Sequence, residues 1–156
     1  MTSITEFVQS VDIELIKTIG LFLNDSVIYG IVLLILVILG EQNGKKRRKV
    51  ILAMVIAVIA GLIIKESMAF DRPCVGENWC PDGYSFPSTH AVAAFALMTA
   101  FIRKKLFPAY LLFALFVSFT RINLGVHLFW DIAAALPVAL ISYYITLIVV
   151  DNEGRN

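Results

Sequence analysis

Residues 48–66, RKVILAMVIAVIAGLIIKE, decide the fold: from Val50 to Ile64 the chain carries no charge, while basic residues open the run and Lys65-Glu66 close it. A helix on the surface of a soluble domain shows a polar face every turn, and this one has none. Its length approaches the roughly 20 apolar residues that a helix needs to cross the hydrocarbon core of a bilayer. Further apolar segments run from about 24 to 41, 88 to 103, 106 to 122 and 127 to 150. The third is short and the fifth is long enough to tilt. The expectation is therefore an all-α integral membrane protein with five transmembrane helices, forming one membrane domain over residues 1–156.

Composition agrees with this reading. Of the 156 residues 59% are hydrophobic and 16% charged, and the mean hydropathy is +0.83. A soluble domain of this size has nowhere to hide so much apolar surface. A net charge of +1 gives no footprint for nucleic acid. The N-terminus has neither a basic leader region nor a small-residue cleavage site, so the first span is expected to stay as an anchor. Residues 4–23 differ from the spans. Phe7, Val11, Leu15, Ile19 and Leu23 recur at helical period, but Glu6, Asp12, Glu14 and Lys17 interrupt any continuous apolar run. That pattern predicts an interfacial helix lying on the membrane.

Orientation follows from the basic loops. Lys45, Lys46, Arg47, Arg48 and Lys49 lie between the first and second spans, and Arg103, Lys104 and Lys105 between the third and fourth. The positive-inside rule makes both loops cytoplasmic. With Arg155 in the tail, nine of the thirteen basic residues are inside, leaving Lys17, Lys65, Arg72 and Arg121. The loop from about 67 to 87 then faces the exterior or periplasm of a cell membrane. Its Cys74 and Cys80 can pair as a disulfide in that compartment or remain free thiols. With only His90 near them they do not complete a tetrahedral zinc site. Trp79, Tyr84, Phe86 and Trp130 read as an interfacial aromatic belt or as the lining of a lipid entrance.

Three clusters of polar residues fall at the same ends of these segments. Lys65 precedes Arg72-Pro73 by six intervening residues, Pro87-Ser88-Thr89-His90 opens the third span, and Arg121 is followed by His127 and Asp131. His127 and Asp131 are four apart on a helix, so the carboxylate can take a proton from one ring nitrogen and leave the other as a nucleophile. Ser85, Pro87 and Ser88 mark a helix start, where unpaired amides and the positive dipole end attract anions. Lys65, Arg72 and Arg121 would complete a cationic cradle suited to the oxygens of a phosphoryl group in transfer. Each residue alone has a plainer reading. A membrane His can be a helix contact, and Asp131 can pair with Arg121 to offset burial.

On these motifs the chain resembles the type 2 phosphatidic acid phosphatases, which share their site with the vanadium haloperoxidases. The family's Lys-x6-Arg-Pro motif matches at Lys65, Arg72 and Pro73; its Pro-Ser-Gly-His appears as Pro87-Ser88-Thr89-His90; its Ser-Arg-x5-His-x3-Asp appears as Thr120-Arg121, His127 and Asp131. The compact layout looks most like small undecaprenyl-pyrophosphate phosphatases and related lipid phosphatases. The resemblance implies a vanadium-haloperoxidase-like helical bundle in which His127 is the nucleophile, Asp131 its orienting partner and His90 the general acid and later base. Lys65, Arg72, Ser88, the Thr89 amide and Arg121 would hold phosphate. Thr89 in place of Gly adds a side chain near the substrate, and Thr120 in place of Ser keeps the hydroxyl. The implied substrate is a lipid phosphate or polyprenyl pyrophosphate. No metal or cofactor is expected, since Asp131 is the only carboxylate at the site and is committed to His127. A lipid phosphotransferase and an anion or lipid transporter remain the alternatives.

Overall fold

The computed structural model describes residues 3–153, so Arg155 and the extreme ends of the expected domain lie outside the described residues. Within them there are seven helices and no strand: α1 (Ser3–Ser10), α2 (Glu14–Phe22), α3 (Ser26–Gly40), α4 (Gly44–Met68), α5 (Thr89–Ala100), α6 (Phe107–Asn123) and α7 (Phe129–Glu153).

Helix starts are set locally. The Asp25 carboxylate accepts from the Val27 and Ile28 amides, both at 2.9 Å, and opens α3. The Asn43 side chain does the same for Lys45 and Lys46 at 3.0 and 3.1 Å and opens α4. Such caps satisfy amides that have no partner inside the helix. Pro108 stands in the first turn of α6, where a missing N–H costs nothing.

α5 is the axis of the molecule. Every residue from Ala91 to Thr99 is buried, against α4, α6 and α7. Four of those nine are alanines, and small side chains let helices approach closely where lipid supplies no hydrophobic drive between them. Outward positions of α3, α4 and α7 carry exposed Val27, Ile31, Leu34, Val55, Ile59, Leu62, Ile141 and Ile148. Together they form the apolar belt that hydrocarbon requires.

Two details depart from the sequence expectation. The segment 4–23 is not one helix. It breaks between α1 and α2, leaving Phe7 and Leu15 of the proposed stripe exposed while Thr5, Val8, Gly20 and Leu23 are buried. Both pieces fold against α6, so packing on protein and not a single membrane-facing stripe selects the buried side. Second, where five spans were expected, α4 and α7 (over Phe129–Val149) are long and apolar enough to cross, with α2 and α3 forming a third candidate bent by 91°. α5 and α6 are shorter, about 18 and 26 Å at 1.5 Å per residue. α5 can be short because protein surrounds it and lipid does not.

The C-terminal ends of α4 and α6 and the N-terminal ends of α5 and α7 meet at one end of the bundle. The loop 69–88 closes over them, stapled by a Cys74–Cys80 disulfide with a Cα–Cα distance of 5.5 Å. At the opposite end Glu41, in the loop after α3, pairs with Lys104 at 2.6 Å.

Candidate active site

His127 begins the site. It follows a turn in which Gly125 has φ +70°, a left-handed conformation that favours glycine. A Cβ there would also stand 3.5 Å from the Trp79 ring. The turn delivers His127 to the start of α7, one helical turn ahead of Asp131. Its Nδ1 lies 3.2 Å from Asp131 Oδ2, and that oxygen also accepts from the Leu128 amide at 2.9 Å. The carboxylate is thus fixed from two sides and selects the tautomer with the proton on Nδ1. The Asp131 carbonyl accepts from the Ser88 amide at 3.1 Å, which locks the start of α5 to the start of α7.

The other imidazole nitrogen, Nε2, faces Arg72, whose Nη1 is 3.3 Å away. Arg72 is itself anchored by carbonyls: Nε donates to Gly83 O at 3.1 Å, Nη1 to Val126 O at 3.3 Å and Nη2 to Asp82 O at 3.4 Å. Half-burial pulls its pKa down and the Asp131 charge opposes that shift. A guanidinium remains a cation throughout. Lys65, at the last turn of α4, donates to the Tyr84 and Ser85 carbonyls at 2.8 and 3.2 Å. Arg121 sits at the last turn of α6, and its Nη1 donates to Asn24 Oδ1 at 2.7 Å. The three cations lie close enough to feel one another's charge, and Arg72 and Arg121 that of His127.

No carboxylate lies within ion-pair distance of Lys65, Arg72 or Arg121 among the described residues. Lys65 and Arg121 are nevertheless 5% and 3% exposed. Ser88 Oγ, His90 Nε2 and Arg121 Nε are buried without a hydrogen-bond partner. Buried cations and orphaned polar atoms are each expensive. Such an arrangement can accept an anion with several oxygens. Ser88 is the N-cap residue of α5, yet its hydroxyl makes no cap bond and is available to that anion. The amides of Thr89 and His90 belong to the same first turn. Thr120 turns its hydroxyl back to Val117 O at 2.8 Å.

The candidate site residues Lys65, Arg72, Ser88, Thr89, His90, Arg121, His127 and Asp131 therefore fall at this end of the bundle. The motifs did not reveal the supports behind them. Tyr29 on α3 donates its hydroxyl to His90 O at 2.8 Å and lays its ring 4.7 Å from the imidazole. Asn123 ties α6 to the N-terminal segment by donating to Val8 O and Val11 O at 2.9 and 2.8 Å. Asn24 looks in the sequence like part of a helix start, Asn24-Asp25-Ser26, and no spacing links it to Arg121.

Two solved structures share this architecture. LpxE of Aquifex aeolicus aligns with a TM-score of 0.74 at 20% identity over 92% of each chain. A transmembrane PAP2-type phosphatidylglycerolphosphate phosphatase from Bacillus subtilis aligns with a TM-score of 0.72 at 15% identity, over 96% of this chain and 84% of that one. At such identities the likeness is one of fold. No curated protein sequence gives a significant match. The sequence pattern of the PAP2 superfamily matches residues 46–155, which take in Lys65, Arg72, the Pro87–His90 turn, Arg121, His127 and Asp131. The chain belongs to the PAP2 superfamily.

Proposed function

We propose that this protein is a membrane lipid phosphatase that removes a terminal phosphate from a lipid phosphate or pyrophosphate through a phosphohistidine. One observation carries the reading: His127 is held at Nδ1 by Asp131, its free Nε2 faces Arg72, and the surrounding buried cations have no carboxylate partner. Nε2 attacks phosphorus and the bond to the lipid-bearing oxygen breaks. His90 gives that oxygen a proton. The same residue then takes a proton from water, which attacks the phosphohistidine and releases inorganic phosphate and free His127. Lys65, Arg72, Arg121, Ser88 Oγ and the Thr89 amide stabilise the charge spread over the equatorial oxygens.

The lipid part of the substrate has a matching path. Gly30, Leu33, Val37, Met54, Val58 and Ala93 line an apolar trough of about 330 Å³ between α3 and α4. Gly30, Leu33, Val58 and Ala93 continue into a second hollow of about 230 Å³ that reaches Thr89 and His90. A hydrocarbon chain bound there would leave the site on the side of the proposed general acid, as a leaving group must. The phosphatase activity named for the Bacillus subtilis neighbour is of this chemical class.

For orientation, we read the Lys45–Lys49 loop as cytoplasmic by the positive-inside rule, which would put the site, at the opposite end of α4, on the outer face. The Cys74–Cys80 disulfide in the site-covering loop supports that placement, since such bonds persist in oxidising compartments. The deciding assay is phosphate release by purified protein in detergent from polyprenyl pyrophosphate, phosphatidic acid and phosphatidylglycerol phosphate, with EDTA present. Turnover of at least one is expected, and failure on all three would defeat the proposal.

A further inference from the structure

Arg121 is oriented by a residue outside the part of the chain that the superfamily pattern matches. Asn24 stands at the break between α2 and α3, where the chain bends by 91°. Its backbone amide donates to Leu21 O at 3.1 Å and its side-chain oxygen accepts a hydrogen bond from Arg121 Nη1 at 2.7 Å. The next residue, Asp25, directs its carboxylate to the α3 amides of Val27 and Ile28. A neutral amide and a carboxylate are thus adjacent in sequence. The structure turns the neutral one toward the cation.

That choice has a chemical consequence. A carboxylate facing Arg121 would form a charge-assisted, potentially bidentate pair and neutralise it. It would then compete with the oxygens of any phosphate. An amide oxygen satisfies one of the five guanidinium donors and fixes the plane of the group, while leaving its full charge and its remaining donors to a ligand. Arg121 Nε is buried with no partner, so at least one donor besides Nη1 is uncommitted within the protein. The bond also couples the site to the elbow of α3, the helix that supports His90 through Tyr29.

We infer that Asn24 is a positioning residue of the phosphate site, orienting Arg121 through a neutral acceptor that reserves its charge for the substrate. The inference rests on the lipid phosphatase reading above. It is tested on full-length protein in detergent with two readouts: KM for a hydrolysed lipid phosphate, and affinity for orthovanadate measured calorimetrically without turnover. Asn24→Asp, nearly isosteric, should weaken vanadate binding and raise KM by about tenfold, because it supplies Arg121 with a counter-charge. Asn24→Ala should cost less, and Asn24→Ser, which keeps a short neutral acceptor, less still. In an Arg121→Ala background, Asn24→Asp should add nothing. A purely structural asparagine predicts the opposite order, with Asp close to the parent and Ala worst. That order, or an Asn24→Asp effect that persists without Arg121, would overturn the inference. Should Asn24→Asp not fold, equal vanadate affinity in the Ala, Ser and parent proteins would overturn it as well. Absence of turnover in the parent with vanadate binding still responding to Asn24 would fault the phosphatase reading and leave the Asn24–Arg121 link standing.

Discussion

The two ends of the bundle treat charge in opposite ways. At the end bearing the 41–43 loop, the buried carboxylate of Glu41 accepts from the Asn43 amide at 3.0 Å and from Lys104 at 2.6 Å, so the charge that burial would penalise is matched. Beside it the Phe101 and Tyr110 rings stack 4.1 Å apart against Gly40, and the Tyr110 hydroxyl donates to Leu36 O at 2.8 Å. At the other end three cations sit near an imidazole with no carboxylate in ion-pair distance among the described residues, and Ser88 Oγ, His90 Nε2, Arg121 Nε and Asn123 Oδ1 have no partner. One end is settled within the protein, whereas the other, on the function proposed above, is complete only with an anion. The contrast separates charges that hold a fold from charges that wait for a ligand, and each expectation below probes one side of it.

The largest effect is expected at the nucleophile. His127→Ala should lower phosphate release by at least about a thousandfold, because no other group can carry the covalent step. Unchanged gel-filtration and thermal-melting behaviour would show that the loss is chemical. Near-parental turnover would remove the phosphohistidine mechanism. Asp131→Asn should lose less, since Nδ1 keeps a partner of altered polarity.

The cationic cradle should next reveal itself through inhibition. Orthovanadate or tungstate, which can adopt the trigonal-bipyramidal shape of the transition state, should compete with substrate, while EDTA leaves activity intact. Loss of turnover in EDTA that magnesium restores would replace the mechanism with a metal-dependent one.

A smaller, selective effect is expected in the trough. Nothing lies within 4 Å of a Cβ built on Gly30, so Gly30→Phe has room to fold yet would project a ring into the path leading to His90. Turnover of a long-chain lipid phosphate should fall by about tenfold while a short-chain soluble phosphate is hydrolysed as before. Equal loss on both would place the hydrocarbon elsewhere.

The settled end should give stability effects and leave KM unchanged. A Cβ on Gly40 would collide with the Tyr110 hydroxyl and the Phe101 ring, so Gly40→Ala should destabilise by about 1–3 kcal/mol through overpacking. Glu41→Gln should cost about 1 kcal/mol, the partner Lys104 being partly exposed. The hydrogen bond from Lys104 holds the Glu41 carboxyl below its ordinary pKa. Its contribution is therefore present above the unfolded-state pKa near 4.5 and lost as pH falls through the depressed folded value. Melting temperature of the parent against Glu41→Gln, followed from neutral to acid pH, should converge at the acid end.

Membrane character and the motifs of the PAP2 superfamily were legible in the residues. Each rests on local chemistry: an uncharged run such as Val50–Ile64 needs hydrocarbon, and the His127–Asp131 pair needs only one short stretch of chain, although His127 lies in the bend before α7 and not on the helix expected to carry both. Lengths and supports were not legible. α5 is short because α4, α6 and α7 shield it, and the N-terminal segment is two helices, each packed on α6, where one was expected. Asn24 reached Arg121 across ninety-seven positions, a distance over which no periodicity carries information. The sequence by itself determined which charges could not be left without a partner. Only tertiary packing decided which would find one inside the protein, because that depends on which helix ends meet, and a chain read one segment at a time contains no term for that meeting.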